Sequence, residues 1–180
     1  YPVSYADPVA TKIIAHHGPF DIVANFAAHK HVRSEKDIFS VEAMIDNNVL
    51  RANRFMAEIV RQKPNKIFAV STDKAANPVN IMGASKKLME DMLLAYAKDS
   101  PVTTARFANV AFSNGSLLQA FLERLAKGQP LSAPNDVRRY FVTPQESGQI
   151  CMLACLLGQP GEIFFPVLSE DAHAKRFSDI

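Results

Sequence analysis

Apolar and polar positions along the chain alternate between two periods. Asp7 and Pro8 ahead of VATKIIAHH read as an N-cap and first-turn proline, and Gly18 as the stop of a short helix. Asp21 to Ala28 is a nearly continuous apolar run, the pattern of a strand buried on both faces. Ile38 to Gln62 carries helical spacing, with Phe39, Val41, Met44, Ile45, Val49, Phe55, Met56 and Ile59 as its inward set and Pro64 as its stop. Lys66 to Thr72 predicts a second buried strand, Asp73 to Ile81 a loop, and Met82 to Ala97 a helix. Val102 to Phe107 follows as a third strand and Leu117 to Ala126 as a helix closed by Gly128. Tyr140 to Val142 predicts a short strand, Pro144 to Leu157 a helix and Glu162 to Val167 a last strand.

Strands alternating with helices of this length imply parallel β-α-β units. Right-handed crossovers then give an α/β fold with a doubly wound parallel sheet. Near Asn114 proline becomes denser and the alternation loosens. The expected division is 1–113 for the sheet domain and 114–180 for part of a smaller, loop-rich region.

Composition narrows the classes. Of 180 residues, 48% are apolar and 21% charged, which excludes disorder. A net charge of +2 with scattered basic residues gives no nucleic-acid footprint. The longest apolar run, Ile150 to Leu157, is far shorter than the roughly 18 residues of a membrane span. No charged leader with a short apolar core opens the chain. Cys151 and Cys155 lie four apart with no histidine nearby, so no metal site is expected. Two buried free thiols suit a cytoplasmic setting.

Ligands of an open parallel sheet bind beyond the C-terminal ends of its strands. The three strand ends are Ala27-Ala28-His29-Lys30-His31, Ser71-Thr72-Asp73-Lys74 and Arg106-Phe107-Ala108-Asn109. Asp73 beside Lys74 suits an acid/base pair, because each can shift the other's pKa. A solvated turn capped by Asp73 fits the same residues equally well. Met82 and Lys86, four apart, share one helix face.

The blocks DIVANFAAHKHV, STDKAANPVNIMGASKK, ARFANVAFSNGS and RRYFVT resemble the extended short-chain dehydrogenase/reductase family. Within it they resemble the polysaccharide-biosynthesis branch, which includes UDP-N-acetylglucosamine 4,6-dehydratases. The blocks stand in the family's order and cover Asp21 to about Phe164. The resemblance implies a Rossmann-like sheet and a resident NAD, in preference to NADP. It also implies loss of water from a UDP-N-acetylhexosamine: hydride transfer from carbon 4 to NAD, deprotonation at carbon 5, departure of the carbon-6 hydroxyl and return of the hydride to carbon 6.

Roles follow motif by motif. Asp73 matches the acid for the leaving hydroxyl, and Lys74 the base at carbon 5. A lysine base needs a lowered pKa, from burial or a nearby cation. Lys86 is a candidate for that cation and matches the lysine on the nicotinamide ribose. Thr72 is the candidate to bond the sugar near carbon 4. Phe26, Ala27, Ala28, Asn48 and Ser71 match the cofactor wall, with a structural bridge at a helix kink as the other reading of Asn48. Asn109 and Arg139 match the diphosphate site, with a surface ion pair as the alternative for Arg139. Lys30 is a candidate for the substrate. His29 and His31 read as surface residues outside the site.

Met82 occupies the position where the family at large carries tyrosine, and a thioether cannot exchange a proton. Long members of this branch commonly carry methionine there. The first proton transfer then falls to another group, Asp73 or a water held by Thr72. Ala108 and Phe112 stand where glycine is usual, and Arg138 where threonine is usual. No GxGxxG occurs, and seven glycines fall short of the roughly thirteen of average usage. The chain therefore reads as an internal piece, incomplete at the N-terminus, whose parent could be membrane-anchored. A homo-oligomer through the two long helices is expected. The competing readings are a 4-epimerase or 4-ketoreductase of the same family and a non-catalytic nucleotide-sugar-binding module.

Overall fold

The structure, a computed structural model, describes residues 1–30, 35–133 and 135–180. It divides into two compact units, Tyr1–Arg106 with Cys151–Phe164, and Phe107–Ile150 with Phe165–Ile180.

In the first unit, α1 (Pro8–His17) starts on Asp7, whose side chain accepts from the Val9 N–H at 2.8 Å. That bond satisfies one of the orphan donors of the first turn. Strand β1 (Ile22–Asn25) leads to α2 (Ile38–Ile45), a π-helical segment (Asp46–Arg51) and α3 (Ala52–Arg61). Strand β2 (Lys66–Val70), a 3-10 turn (Asp73–Ala75), α4 (Ile81–Tyr96) and β3 (Val102–Ala105) follow.

The sheet order is β1-β2-β3-β6, where β6 is Ile163–Phe164, and every pairing is parallel. Ile67 and Ala69 of β2 join Val102 of β3 on one face, packed by Ala52, Met56 and Ile59 of α3 and Met89 and Leu93 of α4. On the other face, the Thr103 hydroxyl donates to the Ala154 carbonyl at 2.8 Å, so α6 (Pro144–Leu157) covers that side. Helices therefore flank both faces of a parallel sheet. Phe68, buried between these layers, contributes about 1.5–3 kcal/mol by its burial.

Gly158 ends α6 because nothing larger fits. A Cβ there would stand 2.6 Å from the Ala154 carbonyl and 2.8 Å from Thr103 Cγ2. The Lys66 ammonium donates to the Gly158 carbonyl at 2.6 Å, a cation at a helix C-terminus. Cys151 and Cys155 are buried free thiols on this helix, and burial raises both pKa values.

Three expectations change. The run Asp21 to Ala28 forms a four-residue strand in which only Asn25 is buried, because β1 is the edge of the described sheet and has one neighbour. Phe39, expected inward, is 74% exposed, while Met44, Met56 and Ile59 are buried. The last strand shrinks to Ile163–Phe164, since Pro166 has no N–H to extend a ladder.

In the second unit, β4 (Asn109–Val110) pairs parallel with β5 (Arg138–Val142), and β5 pairs antiparallel with β7 (Ala174–Arg176). The short helix α7 (Glu170–His173) precedes β7, and α5 (Leu117–Ala126) is capped by Ser116. Thr143 and Glu146 form a reciprocal capping box at the start of α6: Glu146 Oε2 accepts from the Thr143 N–H at 2.7 Å, and Thr143 Oγ1 from the Glu146 N–H at 3.1 Å. The chain thus leaves the first unit at Phe107, re-enters at Cys151 and leaves after Phe164, where a single border at Asn114 was expected. The pairing of β6 with β3 is the physical reason.

Candidate functional site

The C-terminal ends of β1, β2 and β3 form one edge of the sheet. Asn25 closes β1, and its Oδ1 accepts from the Ala27 N–H at 2.9 Å, turning the chain off the sheet. Phe26 is exposed with its ring 5.6 Å from that of Phe68, Ala27 is exposed and Ala28 half-buried. Lys30 is exposed. His31 lies outside the described residues.

Ser71 leaves β2 with its N–H on the Ala105 carbonyl at 2.8 Å. Its hydroxyl is buried and has no hydrogen-bond partner, alone in this among buried side-chain groups of the described residues. Burying a hydroxyl unpaired costs roughly 1–3 kcal/mol. A ligand with a polar edge at this strand end would remove that cost.

Thr72 caps the 3-10 turn that follows. Its hydroxyl donates to Asp73 Oδ1 at 2.9 Å and takes a long contact from the Lys74 N–H at 3.5 Å. The Lys74 ammonium lies 3.0 Å from the same Asp73 oxygen, and both side chains keep contact with solvent. Thr72, Asp73 and Lys74 are therefore gathered on a single turn. The cap of this turn is Thr72, where a turn capped by Asp73 was one of the two sequence readings, and Asp73 pairs with Lys74 instead.

Helix α4 is seated against that turn. Asn80 caps it, accepting from the Gly83 N–H at 2.8 Å. Glu35 accepts from the Met82 N–H at 2.9 Å. Met82 is buried. Gly83 permits the close approach: a Cβ there would stand 2.7 Å from the Lys74 carbonyl.

Lys86 points inward from α4 and is 4% exposed. Its ammonium donates to the Val70 carbonyl at 2.9 Å, next to Ser71, and lies 3.7 Å from Met89 Sδ. Burial lowers its pKa from 10.5 to about 8, against the opposing charge of Glu90. Between pH 8 and 10.5 the unfolded chain holds a proton that the folded chain releases, so stability rises with pH there. The shift corresponds to roughly 3 kcal/mol. Lys86→Met removes this dependence, so the stability lead of the variant over the native chain should shrink by about that amount from pH 8 to 10.5. Urea melts of both proteins across the range measure it, and a constant gap contradicts the burial of a charged Lys86.

Asn48 sits in the π-helical segment, a feature often found at functional sites. Its Oδ1 accepts from the His29 N–H at 2.7 Å, and its amide donates to the His29 carbonyl at 2.9 Å and to Ser85 Oγ at 3.0 Å. The Ser85 hydroxyl in turn donates to the Met82 carbonyl at 2.8 Å. Asn48 thus bridges the segment after β1 to α4, as its structural reading expects. Asn48→Ala orphans both His29 backbone groups and should cost about 1–3 kcal/mol, read as a lower urea midpoint at unchanged slope. An unchanged midpoint would mean that water replaces the bridge.

In the second unit, Asn109 Nδ2 donates to the Tyr140 carbonyl at 3.1 Å. Arg139 is exposed and donates to the Arg138 carbonyl at 3.1 Å, while the ion pair of this strand belongs to Arg138 and Glu170, at 2.7 Å. Sequence reasoning gave no role to Glu35, Gly83, Glu90 or Arg106. Asn80 three residues before Gly83 is cap spacing, and Glu90 four after Lys86 is same-face spacing, so two signals were available.

A parallel sheet flanked by helices, with polar groups gathered at its strand ends, defines a Rossmann-like α/β fold. The chain belongs to the polysaccharide biosynthesis protein family, whose profile matches residues 6–175. It is 33% identical over 146 residues to the capsular polysaccharide biosynthesis protein CapD of Staphylococcus aureus, covering 79% of this chain and 24% of that protein. It is 32% identical over 175 residues to a UDP-glucose 4-epimerase of Rickettsia canadensis, covering 92% of this chain and 50% of the relative. Its fold matches DesIV of Streptomyces venezuelae, a dTDP-glucose 4,6-dehydratase crystallised with NAD, at a TM-score of 0.78 and 20% identity over 91% of this chain and 56% of the other. The chain thus spans half or less of the length of these two curated relatives. Among the described residues, no helix is long and apolar enough to cross a membrane.

Proposed function

We propose that this chain carries the catalytic turn of a nucleotide-sugar 4,6-dehydratase that acts on a UDP-N-acetylhexosamine such as UDP-N-acetylglucosamine. The observation that carries the reading is the Asp73–Lys74 pair, 3.0 Å apart on one turn beyond β2. Elimination of water needs an acid and a base on neighbouring carbons, and this turn offers one of each. Lys74 takes the proton from carbon 5. Asp73, in its protonated form, gives one to the departing carbon-6 hydroxyl. The Thr72 hydroxyl, bonded to Asp73, orients that carboxyl toward the sugar.

The strand ends fit a dinucleotide. The unpartnered Ser71 hydroxyl offers a buried polar contact, and Lys86 stands next to it as the candidate for the nicotinamide ribose. Phe26, Ala27 and Ala28 would supply wall, while Asn48 shapes that wall through its hold on His29. NAD, when bound, supplies reversible oxidation at carbon 4. By their match to the family's motif, Asn109 and Arg139 are assigned to the UDP diphosphate and Lys30 to substrate. Exposed Ile38, Phe39 and Leu50 along α2 and the π segment, with Leu88 on α4, support a homo-oligomer through these helices.

A second reading, a 4-epimerase, is favoured by the relative of that name, which matches 92% of this chain. Mass spectrometry of UDP-N-acetylglucosamine after incubation with the intact protein separates the two. A 4-keto-6-deoxy product, lighter by one water, is expected. A product of unchanged mass with carbon 4 inverted favours the epimerase, and neither product together with tight UDP-sugar binding favours a non-catalytic module.

A further inference from the structure

The π segment that carries Asn48 is held from a distant part of the chain. The Tyr5 hydroxyl donates to the Asn47 carbonyl at 2.6 Å, across 42 residues of sequence. Tyr5 sits half-buried in the turn before α1, which the Asp7 N–H closes on the Ser4 carbonyl at 2.9 Å. Its ring meets that of Phe55 on α3 edge to face, with centroids 5.4 Å apart. The ring is thus seated on α3 and the hydroxyl on the π segment. Burial raises the pKa of the phenol to about 12, so the hydroxyl remains a donor at neutral pH. A regular π pattern would give the Asn47 carbonyl to the Ala52 N–H, five residues on. The Ala52 N–H goes to the Val49 carbonyl instead, and Tyr5 donates to the Asn47 carbonyl from outside the helix. Arg51 closes the same segment from its side, with Nε on Asp46 Oδ2 at 2.5 Å.

The Asn47 carbonyl and the Asn48 N–H belong to one rigid peptide plane. A donor on that oxygen therefore fixes the plane from which the Asn48 side chain departs. Asn48 is buried, its oxygen and amide hold both backbone groups of His29, and its amide also reaches Ser85. Rotation of the plane would carry the amide out of these bonds. We propose that Tyr5 is a positioning residue for Asn48: by holding the Asn47 carbonyl it fixes the π segment in the orientation in which Asn48 grips the backbone of His29. Its bearing on cofactor rests on the reading of Phe26, Ala27 and Ala28 as cofactor wall. A role in packing alone would need only the ring, which phenylalanine supplies as well as tyrosine.

Hydrogen exchange of the intact protein, read peptide by peptide by mass spectrometry, tests this. Tyr5→Phe removes the hydroxyl and keeps the ring beside Phe55. It should speed exchange in residues 26–30, which contain the His29 N–H, and in residues 46–51. The expected factor is about 2–10, the size of one lost hydrogen bond. Asn48→Ala sets the upper limit of the effect at 26–30. Peptides of β2 and β3 should exchange as in the native protein. Native exchange at 26–30 in Tyr5→Phe overturns the proposal and leaves Tyr5 as an anchor for the segment before α1. Faster exchange throughout β2 and β3 overturns it as well, because it marks a loss of global stability. NAD titrated into the cofactor-free protein should bind the variant about 2–10-fold more weakly. Faster exchange at 26–30 with native NAD affinity keeps the positioning role and removes the cofactor-wall reading.

Discussion

Lys74→Ala in the intact protein should lower turnover by about 10²–10⁴, the range for loss of one positioned proton-transfer group. Bound cofactor and the fold should be retained, because Lys74 is partly exposed and its ion pair with Asp73 is a surface contact worth little to stability. In the proposed roles Lys74 and Asp73 share a turn, so the alanine variant removes one proton path and leaves the other in place. Asp73→Asn should lose comparable activity through the leaving hydroxyl instead. Steady-state turnover of the two variants, with cofactor content measured after denaturation, decides the roles. Native turnover in Lys74→Ala would remove Lys74 from the chemistry.

Gly83→Ala should be the second large effect, near 10² in kcat, the cost of misplacing a reacting group by about 1 Å. The added Cβ would stand 2.7 Å from the Lys74 carbonyl of the turn and 3.2 Å from Oδ1 of Asn80, the cap of α4. The turn and the start of α4 have to move apart, which displaces Lys74. Alanine favours helix over glycine by about 1 kcal/mol, which offsets part of the strain in any stability measurement. The variant should therefore melt close to the native protein while turning over slowly. Equal kinetics in variant and native protein would show that the turn can shift without cost.

Most of the fold was legible because its strands and helices keep their periods. The long helical run was read with nearly its observed ends, and α5 and α6 with their observed ends, because Ser116, Gly128 and the Thr143–Glu146 box mark local boundaries. The π segment was not legible, and the bonds that Asn48 makes from it reach His29, nineteen residues away. β4, α7 and β7 were missed because two- to four-residue elements leave no periodic signal. At the site, Asp73 and Lys74 were adjacent in sequence and needed no folding to meet. Glu90 and Arg106 meet only when β3 is laid beside α4, so neither could be paired in advance. The burial of Lys86 against the Val70 carbonyl and the Met89 sulfur, which lowers its own pKa to about 8, was not legible, because those partners lie on β2 and one turn along α4.

Elimination on one turn with internal return of hydrogen can be followed with UDP-N-acetylglucosamine deuterated at carbon 4, given to the intact protein, the label being located in the product by NMR and mass spectrometry. A 4-keto product lighter by one water, with deuterium on carbon 6, is expected. A product that keeps the carbon-6 hydroxyl and carries deuterium on an inverted carbon 4 would contradict elimination.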